Sequence, residues 1–299
     1  VKAAQKRWKA ITQRRFSLES ALVKEERGGK DRGLNARLTG PLTDYKYRLE
    51  LLYGKRRSEA GAEEYDYSRL GAGFHFFKKR LVHVLERISY DPERGKHFGS
   101  YTSISYTPKD SLSFSGEVNT FSLDIPLRAK IAGVRGRSGS FSFTYAPDDR
   151  KKVKAGALVN SFSDRNIRSN FFVLSSYKVI PGGIYRSTLQ LFGAASNNSK
   201  GGRTYFNPEN DLTYSLTSVN DITLYNYNGR RFSQTISLEA GRYHQKNFSG
   251  EWIFSALYEQ NWQFGNGKEL SFGVHWARRV FDGNAEKTPR YFLRGTFPL

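Results

Sequence analysis

The last nine residues of the chain alternate between two kinds of side chain right up to the carboxyl end. One set is Tyr291, Leu293, Gly295, Phe297 and Leu299, and the other is Phe292, Arg294, Thr296 and Pro298. This period of two predicts a β-strand with one apolar face. A soluble domain gains nothing from an apolar stripe that reaches its own carboxylate. A strand that lies in lipid and pairs with the first strand of the same barrel needs such a stripe, with a Tyr at the far interface.

Composition agrees with a membrane β-barrel. Only 38% of the 299 residues are hydrophobic, yet the chain has 18 Tyr and 22 Phe. A disordered chain of this polarity lacks aromatic residues, whereas a barrel with a wet lumen needs apolar residues only at every second strand position. The sequence contains no run of 18 apolar residues, which excludes a transmembrane helix. The absence of Cys excludes disulfides and thiolate chemistry.

The net charge of +20 raises the question of nucleic-acid binding. The Lys and Arg residues are spread over turns and strand ends and form no single basic helix or stripe, so we expect no nucleic-acid partner. Lipid headgroups and lipopolysaccharide phosphates at the two rims of a barrel are sufficient partners for them. No signal peptide is visible. We expect residues 1–12 to be a linker or the end of a preceding domain, and residues 13–299 to be the barrel.

Two classes of connection alternate along the chain. The short class has turn residues at 43–44, 78–79, 107–110, 147–149, 181–183, 228–229 and 265–267. The longer class covers 26–33, 57–64, 91–96, 122–130, 163–168, 197–211, 245–250 and 282–289. Seven short and eight long connections predict a single antiparallel transmembrane barrel of about sixteen strands in the bacterial outer membrane. Both termini are then on the periplasmic, short-turn side.

Alternation also predicts which side chains face lipid. Leu270, Phe272, Val274 and Trp276 belong to the lipid face, as do Tyr45, Tyr47, Leu49 and Leu51. An aromatic girdle is expected just before the short turns, at Tyr106, Tyr145, Tyr177, Tyr225, Tyr227 and Trp262. The lumen then receives Lys46, Arg48, Arg186, Arg279 and Arg294. In the segments 81–90 and 153–162, alternation does not predict which side chains face lipid.

The residues offer no catalytic constellation. The five His residues lie on separate predicted strands or strand ends without metal-ligand spacing, so we expect no enzyme activity, metal or cofactor. A hydrolase at the rim stays an alternative, although no spacing singles out its residues. Phe192 and Tyr243 are aromatic candidates for stacking on sugar rings or for packing against a loop folded into the pore.

Acidic residues provide the candidate functional set. Eight of them fall at predicted lumen positions: Glu19, Glu50, Glu117, Asp221, Glu239, Glu251, Glu259 and Glu269. One interpretation is a polar wall in which each acid is neutralised by Lys or Arg. The functional interpretation is a track of many weak sites along which a cationic solute passes without being trapped.

Four segments resemble a known family, the outer-membrane exporters of poly-β-1,6-N-acetyl-D-glucosamine (the PgaA family). They are Ile-Pro-Leu-Arg-Ala at 125–129, Phe-Ser-Asp-Arg-Asn-Ile-Arg at 162–168, Tyr-Phe-Asn-Pro-Glu-Asn-Asp-Leu at 205–212 and Arg-Val-Phe-Asp-Gly at 279–283. The second is similar to the F-S-D-G-N-R stretch of the family, and the third is the most specific. The likeness covers residues 13–299.

The resemblance implies a sixteen-stranded porin domain that follows a periplasmic helical-repeat domain, through which a periplasmic deacetylase acts on the polymer. It implies export of the partly de-N-acetylated, and hence cationic, polymer through an electronegative lumen. The long loop with Tyr205, Phe206, Asn207, Pro208 and Asp211 is then the extracellular gating loop. Cellulose-type exporters are the nearest alternative, and the basic composition leaves a general or anion-type diffusion porin open. The terminal Leu299 also departs from the aromatic residue that is commoner there.

Overall fold

The structure is a computed structural model that describes residues 12–26, 28–61, 63–79, 81–91, 97–122, 129, 131–201 and 205–299. Residues 1–11 of the predicted linker lie outside this part of the chain. So do residues 125–128 of the first family-like segment. In the described residues no helix has the length and apolar character needed to cross a bilayer.

One antiparallel sheet accounts for nearly the whole described chain. Its strands are β1 Arg15–Lys24, β2 Lys30–Thr39, β3 Tyr47–Ala60, β4 Glu63–Lys78, β5 Val82–Asp91, β6 His97–Lys109, β7 Leu112–Ser122, β8 Gly136–Tyr145, β9 Lys151–Phe162, β10 Ile167–Ile180, β11 Tyr185–Asn198, β12 Asn210–Tyr227, β13 Arg230–Gln245, β14 Glu251–Gln263, β15 Glu269–Phe281, β16 Asn284–Lys287 and β17 Arg290–Pro298. From β1 to β16, each strand pairs with the next one in the sequence.

The sheet closes on itself through its first and last strands. β1 pairs with β17 from Arg15 opposite Pro298 to Val23 opposite Arg290. Both β16 and β17 pair with β15, so they are two parts of one wall strand. The seventeen segments therefore form a sixteen-stranded closed antiparallel barrel, which confirms the predicted fold class. Closure leaves no sheet edge with unpaired backbone groups.

The outer surface carries the apolar side chains of alternate strand positions. Leu49 is 66% exposed, and Phe171 and Leu191 are exposed to a similar degree. Residues directly opposite each other on paired strands share a face, so the pairing of Glu50 with Gly73 places both on the inner face. The predicted lipid and lumen faces are confirmed within the strands, whereas Tyr45 and Lys46 lie in the turn before β3 and belong to neither face. The structure also assigns the faces of the segments 81–90 and 153–162, because β5 exposes Ile88 and β9 exposes Val159 on the outside.

Aromatic side chains line the outer surface where strands meet the short turns. Tyr106, Tyr145, Tyr177, Tyr225, Tyr227 and Trp262 are all exposed at these strand ends, as the sequence predicts. Asn228 and Gly229 form a two-residue turn, with φ values of 48° and 72° that suit Asn-Gly. At another turn, backbone N–H groups of Arg150 and Lys151 donate to Asp148, which lowers the pKa of its carboxyl group.

Two of the predicted long loops are wrong. Strands β3 and β4 continue through most of 57–64, and the connection between β15 and β16 contains only Asp282 and Gly283. The reason is that polar residues here pair with one another across strands. Asp31 accepts hydrogen bonds from the Ser58 hydroxyl at 2.9 Å and from the Arg56 side chain. The sheet therefore extends beyond the apolar band. We call this end of the barrel the long-loop rim, and the end at which β1 begins and β17 ends the short-turn rim.

A charge placed on the outer face is expected to destabilise the barrel far more than one placed on the inner face. Leu293 lies on the outer face of β17 and is 45% exposed, whereas Thr296 faces inward, directly opposite Glu269. We expect Leu293→Arg to lower the free energy of unfolding in lipid by about 2–4 kcal/mol. Thr296→Arg, placed in a wet lumen beside a carboxylate, is expected to change it by less than about 1 kcal/mol.

Denaturant titration of the barrel refolded into vesicles measures both values. Equal losses in the two variants would contradict the assignment of faces.

Candidate functional site in the barrel lumen

Four of the predicted acids lie on consecutive strands of one side of the barrel. We call Asp221, Glu239, Glu259 and Glu269, on the inner faces of β12 to β15, the acidic wall. Hydroxyl groups support two of them: Thr235 Oγ1 donates to Asp221 at 2.6 Å, and Ser255 Oγ donates to Glu239 at 2.7 Å. These bonds orient the carboxylates and leave acceptor capacity, because an ionised carboxylate has about four lone-pair sites.

Two arginines approach the acidic wall. Arg186 lies 3.5 Å from Asp221, and Arg294 lies 3.8 Å from Glu259. Glu269 accepts a hydrogen bond of 3.2 Å from the Gln263 amide and is exposed. The wall therefore keeps solvent-accessible negative charge.

Three other predicted acids lie elsewhere on the barrel. Glu19 of β1 lies 3.5 Å from both Arg290 and Arg294. Glu117 of β7 faces inward and is exposed. Glu251 begins β14 at the long-loop rim, 3.3 Å from Arg278. The structure thus brings half of the predicted track together and distributes the rest around the barrel.

Glu50 is on the inner face, as predicted, but is covered by its neighbours. Only 2% of this residue is exposed. Its carboxylate is 3.2 Å from His75 Nε2 and 3.7 Å from Arg37 Nε, and it also pairs with Arg87. Gly73, directly opposite, leaves the space in which the Glu50 side chain lies against the wall. Glu50 therefore holds arginines in place rather than presenting its own charge to the lumen.

Arginines dominate the opposite side of the lumen. We call Arg37, Arg48, Arg56, Arg69 and Arg87 the arginine wall; they lie on the inner faces of β2 to β5. In a sixteen-stranded barrel β4 and β5 lie across the lumen from β12 and β13. The sequence placed Arg48 and Arg294 inside but missed Arg69 and Arg87. Arg87 lies in the segment 81–90, for which alternation did not predict the faces.

The long loop between β11 and β12 is packed against the neighbouring loop at the long-loop rim. The centre of the Tyr205 ring lies 5.8 Å from that of Phe162, with the ring planes tilted by 53°, and Tyr205 is only 4% exposed. Its hydroxyl donates to Asp164 Oδ2 at 2.9 Å and accepts from Asn166 Nδ2 at 3.2 Å. Two family-like segments, 162–168 and 205–212, are therefore in direct contact.

Buried amides tie the same loop to the strand below it. Asn166 Nδ2 donates to Asn198 Oδ1 at 3.0 Å, and Asn198 Nδ2 donates to the Pro208 carbonyl at 2.6 Å. Asn207 Nδ2 donates to the Lys200 carbonyl at 2.6 Å. Asp211 accepts from Ser196 Oγ at 2.7 Å. Amides buried in this way hold one loop conformation, because separation would leave them unpaired.

Phe206 contacts the fourth family-like segment, 279–283. Its ring meets Phe281 edge to face at 5.0 Å. Below the two rings is a recess of about 330 Å³ that Phe192, Glu239, Tyr243 and His275 also line. We call Phe162, Asp164, Asn166, Asn198, Tyr205, Phe206, Asn207, Pro208 and Phe281 the rim cluster. Of the first family-like segment only Ala129 is described, and it is buried.

In the described residues no group of three or more His, Asp or Glu has the geometry to hold a metal ion. His75 and His83 are adjacent, with Nδ1 and Nε2 3.0 Å apart, and His75 contacts Glu50. Both belong to the ion-pair network around Glu50.

Removal of the Tyr205 hydroxyl is expected to loosen the loop between β11 and β12. Tyr205→Phe deletes one donor and one acceptor from the buried rim cluster, at a cost of about 1–3 kcal/mol in local stability. We expect more open-channel current noise in planar bilayers and faster proteolytic cleavage within 199–209. Tyr225→Phe, in the aromatic girdle at the other rim, is the matched control and is expected to change neither quantity. A quiet, protease-resistant Tyr205→Phe barrel would show that the hydroxyl does not hold the loop.

Comparisons with known proteins agree with this architecture. A solved structure described as a bacterial polysaccharide outer membrane secretin superimposes with a TM-score of 0.90 at 17% identity, covering 97% of this chain and 99% of that chain. Two Pseudomonas aeruginosa structures, OccK11 (OpdR) and OprD, reach a TM-score of 0.52 at 11% and 10% identity. They cover 96% of this chain and 96% and 95% of their own.

At these identities the structural matches establish the fold alone. A comparison with curated proteins found no match. The family model described as the PgaA membrane beta barrel domain matches residues 15–294, which is nearly the entire barrel. The matched family and the fold are those of a membrane transport barrel, and they support an outer-membrane location. The chain therefore belongs to the PgaA membrane β-barrel domain family.

Proposed function

We propose that this barrel is an outer-membrane porin that exports poly-β-1,6-N-acetyl-D-glucosamine, in partly de-N-acetylated form, through its lumen. The observation that carries the proposal is the rim cluster. Three segments that resemble the exporters, far apart in the sequence, form one structure at the mouth of a polar lumen. The description of the structure that superimposes with a TM-score of 0.90 as a polysaccharide secretin supports the same substrate class.

The acidic wall provides the track for such a polymer. Deacetylated units carry ammonium groups, which the carboxylates of Asp221, Glu239 and Glu269 attract. An exposed ion pair contributes only about 0.2–1 kcal/mol, so each contact is weak and breaks readily. Many weak sites in series allow an extended chain to advance without being trapped. Synthesis of the polymer then supplies the driving force, and the barrel needs no catalytic group.

The loop of the rim cluster acts as the gate in this proposal. Phe206 projects from it against Phe281 and covers the recess that contains Glu239 and Tyr243. The hydrogen bonds of Tyr205 and Asn207 hold the loop against the wall, and Asp211 anchors its end to β11 through Ser196. A polymer that occupies the recess would compete with Phe206 for the same surface.

Orientation and partners follow from the same proposal. The short-turn rim with both termini faces the periplasm, where an upstream helical-repeat domain delivers polymer from a deacetylase. The long-loop rim faces outward. Exposed Arg32, Lys55 and Arg57 on the outer face near this rim meet the phosphates of lipopolysaccharide.

A second candidate function has its own observation. The arginine wall places several guanidinium groups in the lumen, which favours a diffusion porin for anionic or general solutes. Export of another polysaccharide such as cellulose is the nearest variant of the first proposal. A neutral polymer would not need the acidic wall, so the charge dependence of transport separates these candidates.

Neutralisation of the acidic wall is expected to weaken the interaction with glucosamine oligomers. In the variant with Asp221→Asn, Glu239→Gln and Glu269→Gln, three contacts of about 0.5 kcal/mol each are lost, which corresponds to roughly tenfold shorter block times. Single-channel recording of the refolded barrel with glucosamine oligomers measures the block time and the cation preference, and we expect both to fall.

Glu64→Gln, at an exposed outer-face position of the rim, is the matched control and is expected to leave the block time unchanged. Wild-type barrels with anion preference and no block by glucosamine oligomers would contradict export of a cationic polymer and favour the diffusion porin.

A further inference from the structure

A group of apolar side chains lines the lumen on the strands next to the acidic wall. We call Leu158, Phe172, Leu174 and Phe192, on the inner faces of β9 to β11, the apolar strip. Leu174 lies directly opposite Phe192, and the residues on either side of Phe172 are the exposed outer-face residues Phe171 and Val173. All four side chains of the strip are partly exposed. Apolar surface that faces water is unfavourable, so the strip is a candidate ligand site.

A glycine on β9 makes room for the aromatic ring of the strip. Gly156 lies directly opposite Phe172, and a methyl group at Gly156 would lie 2.8 Å from Cε1 and Cζ of that ring. Lys154, the preceding inward-facing residue of β9, has its Nζ 5.7 Å from the centre of the Phe172 ring. The ring therefore packs on the backbone of β9 with an ammonium group beside it.

The part of the wall that contains the apolar strip has no carboxylate. Strands β8 to β11 contain neither Asp nor Glu. Lys154 is the cation that contacts the strip, and the other inward cations of these strands lie nearer the strand ends: Lys152, Arg168, Lys178 and Arg186. An ammonium group at this position repels the deacetylated sugar units that the acidic wall attracts, and such repulsion is a common source of specificity. The strip therefore suits an uncharged unit.

Amide side chains flank the apolar strip. Asn170 lies directly opposite Leu158, and Gln190 is the inward-facing residue before Phe192 on β11. Side-chain amides both donate and accept hydrogen bonds, as an acetylamino group also does. The strip and its flanks thus match the two parts of an acetylamino group, which are an apolar methyl group and a polar amide.

We propose that the apolar strip binds the acetylamino groups of the acetylated sugar units in the exported polymer. The inference rests on the proposed export of a partly de-N-acetylated polymer and deepens it, because the acidic wall accounts only for the deacetylated units. Removal of the acetyl methyl group from water favours binding. Phe192 and Glu239 line the same recess of about 330 Å³, so the two kinds of unit meet adjacent surfaces of the lumen.

Single-channel block by three β-1,6-linked trimers tests this proposal. The probes are the N-acetylglucosamine trimer, the fully deacetylated glucosamine trimer, and gentiotriose, a glucose trimer that has a hydroxyl group in place of each acetylamino group. We expect the acetylated trimer to block the refolded barrel at least about fourfold longer than gentiotriose, equivalent to about 0.8 kcal/mol. The double variant Phe172→Ser, Leu174→Ser is expected to remove this difference and to leave block by the glucosamine trimer unchanged.

Leu52→Ser is the matched control, because Leu52 is an inward-facing aliphatic residue opposite Arg37 on the arginine wall. It is expected to behave as wild type. The single variant Leu174→Ser replaces the double variant if the latter does not fold, as judged by heat-modifiable migration. It is expected to shorten block by the acetylated trimer and not block by gentiotriose.

Equal block by the acetylated trimer and gentiotriose in the wild type would overturn the proposal. A difference that persists in the folded strip variant would overturn it as well, and so would an equal loss of block by all three trimers in that variant. Absence of block by the glucosamine trimer alone would contradict the proposed export of a cationic polymer and leave the assignment of the apolar strip standing.

Discussion

The pairing of β1 with β17 is the interaction on which the rest of this structure depends. Inside a bilayer an unpaired backbone N–H or C=O group has no water to bind, so a sheet can span lipid only if it has no edge. The register from Arg15 opposite Pro298 to Val23 opposite Arg290 removes both edges. It also fixes the facing of the whole wall, because a shift by one residue would turn Arg294 toward lipid and Leu293 toward water.

Closure leaves the inner face free of the packing demands of a protein core. Charged residues can therefore accumulate there in numbers that a packed interior would not tolerate. They are not randomly placed. Carboxylates supported by hydroxyl groups occupy β12 to β15, and guanidinium groups supported by aromatic rings and Glu50 occupy β2 to β5. A solute in the lumen thus experiences an electric field across the pore.

The rim cluster shows how a rigid barrel positions a loop. Asn166 and Asn198, at the ends of neighbouring strands, provide fixed donors and acceptors, and the loop between β11 and β12 folds onto them. Tyr205 and Phe206 are adjacent in the sequence but do different things. Tyr205 is buried in the cluster, whereas Phe206 reaches Phe281 over the lumen recess. The family-like segments are thus parts of one site and not separate motifs.

Alternation in the sequence was sufficient to determine the barrel, the number of wall strands, the faces of Leu49, Phe272 and Leu293, and the aromatic girdle. The reason is that a strand between lipid and water must alternate apolar and polar side chains. It misjudged 57–64 and 282–289 as loops, since polar residues that pair across strands look like loop residues in one dimension. Alternation placed Glu50 in the lumen but did not predict that Arg37 and Arg87 cover it. Only the tertiary structure decided which charges lie close together, because the neighbours of a residue around a barrel depend on the register of the strands. Register brings together positions such as Arg69, Asn35 and Glu19, which no local sequence pattern connects.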